Sequence, residues 1–266
     1  MNVNLMTDKV LFDIKDGAAY ITLNQPEKLN PVPAEVMQDM IQCLNECEGS
    51  DAVRVVVLRG AGGNFTAGGD VRGMKERMDK GINNTKAAIR IGGELITRLR
   101  MISKPTIAWI EGAVAGVGMS MAMACDFSIA EETAKMVFAF VNIGFVPDGG
   151  ITYTLSKTVG PVRATELLMS GKRFSGAEAK EWGIITDAVP KEHLEETVQK
   201  YIYKYSHGPS TAYAQIKTLI NSVNYDQWNA CMQREVQAQY ACSLSLDHRE
   251  AVEAFLEKRK PIFQGK

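Results

Sequence analysis

Two glycine-rich segments, Phe65-Thr-Ala-Gly-Gly-Asp70 and Gly112-Ala-Val-Ala-Gly-Val-Gly118, each follow a β-like run (Val53 to Leu58, Thr106 to Ile110) and lead into helix-like sequence. Glycine at a strand-to-helix junction lets the backbone turn sharply and bares main-chain NH groups. Two such junctions in one chain can aim two NH donors at a single oxygen that gains charge during a reaction. Each loop alone is also explained by the sterics of a tight turn, so the pair carries the functional reading.

The rest of the chain follows from periodicity. Val10 to Lys15 and Ala18 to Asn24 flank Asp16-Gly17 and predict an opening hairpin with a two-residue turn. From Pro33, the apolar residues Val36, Met37, Met40, Ile41 and Leu44 recur at helical spacing. Val53 to Leu58 is nearly continuously β-branched, as a strand buried on both faces requires. Strand and helix alternate to about residue 150, with a polar stretch near Asp79 to Thr85 and a helix-like Ala87 to Met101 as a candidate cleft wall. Beyond it, Ser175-Gly-Ala-Glu178 has capping-box spacing, and His193 to Tyr205, Thr211 to Val223, Trp228 to Ser243 and Arg249 to Lys258 read as helices. The expected organisation is an α/β core over residues 1–200 and a helical region over 201–266.

Composition narrows the function. With 266 residues, 45% of them hydrophobic, the chain can bury a substantial core. A formal net charge of -1 lacks the cationic excess of a nucleic-acid surface. The five cysteines (Cys43, Cys47, Cys125, Cys231, Cys242) are odd in number and lack CxxC spacing, which fits a reduced, cytoplasmic setting and neither disulfides nor zinc. No secretion signal, membrane span or metal site is expected. His193, His207 and His248 all lie in the helical tail, without ligand spacing, and read as surface or capping residues.

The ordered motifs Phe65-x-Ala67-Gly68-x-Asp70, Gly112-x-x-x-Gly116-x-Gly118, Cys125-Asp126 and Ile143-Gly144-x-x-Pro147-Asp148-x-Gly150, with the ending Phe255-Leu-Glu-Lys-Arg-Lys-Pro-x-Phe263, resemble the enoyl-CoA hydratase/isomerase (crotonase) superfamily. The resemblance implies a spiral of ββα units, a C-terminal helical trimerisation region, and a homotrimer or hexamer acting on an acyl-CoA thioester. No cofactor is implied beyond the coenzyme A of the substrate, and no nucleic-acid or membrane partner. The loop donors map by resemblance onto the NH groups of Ala67 and Val117, with Gly68, Asp70 and Gly116 shaping the loops. Pro26-Glu-Lys28-Leu29-Asn30 resembles the stretch lying along coenzyme A, where Lys28 would meet a phosphate. Lys258 and Lys260 would reach a phosphate on the same or a neighbouring subunit. Val117 stands where the family commonly has glycine.

Hydratases of the superfamily use two glutamates, and those positions here hold Ser120 and Phe140. Serine without a partner is a poor base and phenylalanine has no proton to give. Ser120 is left as a residue that could hold water or bond the substrate, and Phe140 as part of the pocket lining. One carboxylate remains, Asp148, which resembles the lone aspartate of phenylacetate-pathway ring isomerases and other bacterial enoyl-CoA isomerases. A double-bond shift needs only one base. Pro147-Asp148-Gly149 is equally a turn signal, and aspartate before a helix is a favoured N-cap, so the sequence leaves base and cap both open. A helix N-terminus would lower the Asp148 pKa, whereas an apolar shell from Phe138, Phe140, Phe145 and Val146 would raise it; desolvation is expected to win. The resulting expectation is an isomerase, with an enoyl-CoA or cyclic dienoyl-CoA hydratase and a non-catalytic CoA-binding scaffold as alternatives.

Overall fold

The computed structural model describes residue 3 and residues 5–266. The hairpin forms as expected: strands β1 (Val10–Lys15) and β2 (Ala18–Leu23) pair antiparallel across Asp16 and Gly17, both at positive φ, which matches the twist of a two-residue turn. Helix α1 (Ala34–Gly49) and strand β3 (Val55–Gly60) follow. Helices α2 (Val71–Asp79) and α3 (Thr85–Met101) then lead to strand β4 (Thr106–Ile110).

Next come β5 (Ala113–Ala115), α4 (Val117–Ala124), β6 (Phe127–Glu131) and β7 (Lys135–Val137). Helix α5 (Ile151–Ser170) is kinked at Gly160-Pro161, where Pro161 cannot donate to the helix ladder. Strand β8 (Arg173–Ser175) precedes α6 (Gly176–Glu181), which opens with the full Ser175/Glu178 capping box, and β9 (Asp187–Val189) follows. Helices α7 (Lys191–Ser206), α8 (Ser210–Asn224), α9 (Trp228–Ser243) and α10 (Leu246–Glu257) complete the chain.

One six-stranded sheet runs β1-β2-β3-β4-β6-β9, parallel except for the β1/β2 hairpin, and a second runs β5-β7-β8. The β-branched run of β3 is explained by burial on both faces. Val56 and Leu58 enter the main core with residues of α1 and α3, while Val55 and Val57 pack in a second cluster with Leu194, Val198 and Ile202 of α7. Leu95, Ile96 and Leu99 of α3 belong to the main core as well.

The expected boundary at residues 200/201 therefore falls inside α7, a helix of the core, and the tail proper begins at α8. The tail is not detached: α9 lies along α3, and α10 against α2. The i,i+4 pair Cys43 and Cys47 is fully buried on α1, where burial pushes each thiol up to about 12, so both pack as apolar groups. The short strands β5, β7 and β8 were not legible in the sequence, since three residues are too few to show a period.

Candidate active site

The two glycine loops are laced together. The Thr66 NH donates to the Ala113 carbonyl and the Ala115 NH to the Thr66 carbonyl, both at 3.0 Å, extending the pairing of the second sheet by an isolated bridge. The Thr66 hydroxyl donates to the Asn30 carbonyl (2.5 Å) and accepts from the Gly68 NH (2.9 Å). Glycine is required at two points of closest approach. Gly68 has φ +89 and a Cβ there would lie 2.6 Å from the Ala115 carbonyl oxygen; a Cβ on Gly118 would lie 2.4 Å from Thr66 Cγ2.

This lacing corrects the expected donor in the first loop. The Ala67 NH is spent on the Leu29 carbonyl at 2.7 Å and does not face a ligand. In the same loop the NH groups of Gly69 and Asp70 have no partner among the described residues, and Gly69 is the one beside the contact between Gly68 and Gly116. In the second loop, Gly116 (φ 53, ψ -123) caps α4, and Val117 and Gly118 open the helix with NH groups that have no acceptor among the described residues. Val117 has negative φ and a buried side chain, so a β-branched residue fits where the family commonly has glycine.

The third loop carries Asp148, and it is not a helix cap. The N-cap of α5 is Gly150 in left-handed conformation, with no side-chain cap bond. The Asp148 Oδ2 accepts one hydrogen bond, from Gln239 Nε2 at 2.9 Å, while Oδ1 is buried with no partner among the described residues. Burial pushes the Asp148 pKa up to about 6 against the lowering effect of the Gln239 bond. The desolvation expected from the sequence thus prevails.

Ser120 and Phe140, the two positions of the hydratase glutamates, are both buried. Ser120 is buried and its hydroxyl donates to the main-chain carbonyl of Asp148 at 2.9 Å, so its proton ties α4 to the Asp148 loop. Phe140 is a buried core residue at the start of the short 3-10 turn Val141–Ile143. His248, expected at the surface or a cap, is buried: Nδ1 lies 2.6 Å from the Ile143 carbonyl and the ring stacks on Phe145 with centroids 3.8 Å apart. Burial holds its pKa below the ordinary histidine value.

Two further residues were invisible to sequence reasoning. Glu235 and Gln239, one turn apart on α9, face the Asp148 loop from the tail. Glu235 Oε2 accepts from the Gly150 NH at 2.8 Å, and Oε1 accepts from the Thr152 hydroxyl at 2.9 Å. Burial pushes the Glu235 pKa up to about 7, with the Asp148 charge adding to the rise. Both oxygens of Glu235 are engaged within the protein, which makes it a clamp on the loop. The only sequence signal was two polar residues at i,i+4 spacing inside a helix, and that does not indicate what they face.

The remaining expected residues are structural or exposed. Asp70 caps α2 by accepting from the Gly73 NH at 3.1 Å. Asp126 accepts from the Thr106 NH (2.8 Å) and from Lys217 Nζ (2.7 Å), pinning α8 to the sheet. Lys28 is exposed at the end of the 3-10 turn Pro26–Lys28, followed by Leu29 and Asn30, both at positive φ. The Asn30 side chain sustains that conformation: Nδ2 donates to the Ala61 and Asn64 carbonyls and Oδ1 accepts from the Gln25 NH. Lys258 is an exposed left-handed cap of α10. Among the described residues there is no cluster of metal-ligating side chains, and no helix is long and apolar enough to cross a membrane.

A family model described as enoyl-CoA hydratase/isomerase matches residues 13–266. The chain is 34% identical to the 1,2-epoxyphenylacetyl-CoA isomerase of Escherichia coli, over 98% of this chain and 100% of that protein. It is 30% identical to the trans-2-decenoyl-acyl-carrier-protein isomerase of Streptococcus mutans, over 97% and 98% of the two. Its fold superposes on a crystal structure of an enoyl-CoA hydratase from Mycobacterium avium subsp. paratuberculosis with a TM-score of 0.88 at 30% identity, covering 96% of this chain and 98% of that one. With laced glycine loops, a matching profile over nearly its whole length and a shared crotonase fold, this chain belongs to the enoyl-CoA hydratase/isomerase family.

Proposed function

We propose that this protein is an enoyl-CoA isomerase in which Asp148 moves one proton between two carbons of the acyl chain. The observation that carries the reading is the Asp148 carboxylate itself: it is buried, its pKa is raised to about 6, and it keeps one oxygen free of any protein donor. A base poised near neutrality in an apolar setting suits proton transfer at carbon. Ser120 and Phe140 occupy the two positions at which a hydratase would carry glutamates, so this site has no pair of carboxylates to activate water. The relatives from Escherichia coli and Streptococcus mutans are both named as isomerases.

In the proposed step, Asp148 Oδ1 takes a proton from the carbon next to the thioester carbonyl. The C–H electron pair moves into the carbon framework and charge collects on the carbonyl oxygen, where the NH groups of Gly69 and Val117 receive it. When the enolate collapses, the double bond moves by one position and the same oxygen returns the proton to the far carbon, so atoms and electrons balance. Each fixed donor of this kind is worth about 3 to 4 kcal/mol of transition-state stabilisation. The exposed Lys28, the Leu29 backbone beside the first loop, and Lys258 hold the coenzyme A portion, and no further cofactor takes part. Assembly with copies of itself is also proposed, through the apolar outer face of α8, where Ile216, Leu219, Ile220 and Val223 are all exposed at helical spacing.

The test is turnover of hex-3-enoyl-CoA in deuterated water, followed by mass spectrometry. An isomerase converts it to the 2-enoyl thioester without a mass gain for water, with solvent deuterium entering at carbon only to the extent that the proton on Asp148 exchanges before it is returned. A hydrate as sole product overturns the reading in favour of a hydratase, and tight acyl-CoA binding with neither outcome favours a scaffold.

A further inference from the structure

We propose that Gln239 is a positioning residue of this reaction: it holds Asp148 Oδ2 and leaves Oδ1 as the oxygen that takes and returns the proton. The inference rests on the reading of Asp148 as the base. Gln239 is 1% exposed, and burying a primary amide is costly unless its groups are paired. Its Nε2 donates both to the Val146 carbonyl at 3.0 Å and to Asp148 Oδ2 at 2.9 Å. Each acceptor lacks a proton of its own, so the amide nitrogen must face them, and the reversed amide would set oxygen against oxygen. The fork therefore fixes the side chain and, through it, the carboxylate plane.

The unpaired atoms complete the argument. Asp148 Oδ1 and Gln239 Oε1 are both buried without a donor, and a buried acceptor left unpaired is expensive enough to need a reason. For Oδ1 the reason is that its partner arrives with the substrate. Three other contacts on the loop meet its backbone. Ser120 of α4 holds the Asp148 carbonyl, Glu235 of α9 holds the Gly150 NH, and Ile96 of α3 lies against Gly149. Among the described residues, Gln239 alone hydrogen-bonds the carboxylate. Among the described residues no lysine, arginine or histidine pairs with Asp148, and the titratable group that bears on it is Glu235.

The experiment measures isomerisation of hex-3-enoyl-CoA against pH for the parent, Gln239→Met, Gln239→Glu and Asp148→Asn. Gln239→Met keeps the volume and removes the donor. Its acid limb should move up by about one pH unit, with kcat down about 10- to 100-fold near neutral pH and KM within about twofold. Gln239→Glu can donate to Oδ2 only while the introduced carboxyl is protonated, so it should gain an alkaline limb that the parent lacks. If both variants reproduce the parental profile, the inference is overturned. Should Gln239→Met fail to fold, a Gln239→Glu profile without that limb overturns it alone. Asp148→Asn separates the two levels: parental turnover by this variant removes the base itself, whereas an inactive Asp148→Asn beside parental Gln239 variants removes only the positioning role.

Discussion

The Ser120 hydroxyl donates to the main-chain carbonyl of Asp148 at 2.9 Å, so the helix whose first turn presents the Val117 NH is tied directly to the loop that carries the proposed base. A position occupied by a glutamate in hydratases here fixes the distance between donor and base. Ser120→Ala removes that bond and nothing else of substance. The expected outcome is a stability loss of about 1 kcal/mol in denaturant unfolding and a roughly tenfold fall in kcat with KM little changed, because a small misplacement of base against donor acts on the transition state.

The raised Asp148 pKa has opposite consequences for rate and stability. As the proposed base it must be ionised, so kcat/KM should climb with pH through about 6 and then level off. In the unfolded chain the same group titrates near 3.9, so the fold favours its neutral form. That stabilisation is complete below about pH 4 and is lost as pH rises through about 6. Asp148→Asn cannot ionise and escapes the loss. It should be inactive, yet more stable than the parent by on the order of 2 to 3 kcal/mol at pH 7.5, with the difference vanishing near pH 4. Thermal melts of the two proteins at both pH values check this.

Gly118 tests the lacing of the two loops. A Cβ at this position would stand 2.4 Å from Thr66 Cγ2, and Thr66 cannot retreat while its hydroxyl bonds the Asn30 carbonyl and the Gly68 NH. Gly118→Ala should cost about 1 to 3 kcal/mol of stability by overpacking and lower kcat by displacing the Val117 donor. Adding Thr66→Ser removes the offending methyl and keeps the hydroxyl, so the double variant should recover most of both losses. Kinetics and chemical unfolding of the two variants decide it.

Much of this was legible in the chain because it is local. The hairpin at Asp16-Gly17, the two-sided strand around Val55 to Leu58 and the Ser175/Glu178 capping box follow from neighbours within a few residues, and the structure has each of them. Asp148 could be singled out as a candidate, but its role as cap or buried acid depended on Gln239, 91 residues away. The same limit misplaced the first-loop donor. The motif around Ala67 marks a loop, whereas the NH left free in it depends on the Leu29 carbonyl claiming that of Ala67. His248 was misjudged because its helix register gives no sign that Phe145 and the Ile143 carbonyl cover it.

Helix α8 is packed with its polar residues inward. Lys217 and Asn221 are its buried side chains, joined to Asp126 and the Arg100 carbonyl, while Ile216, Leu219, Ile220 and Val223 form an exposed apolar stripe, with Val223 76% exposed. Contiguous apolar surface of this kind marks an interface, and the buried Lys217–Asp126 pair holds the helix in place whether or not a partner covers it. Leu219→Asp combined with Val223→Asp should therefore shift the protein from the proposed trimer or hexamer to a monomer in sedimentation velocity at micromolar concentration. The far-ultraviolet circular dichroism should be unchanged. Lys217→Met should instead leave Asp126 without its buried cation and cost about 3 kcal/mol of stability, separating the anchor of the helix from its outer face. A parent that sediments as a monomer would show that this stripe is not a self-association surface.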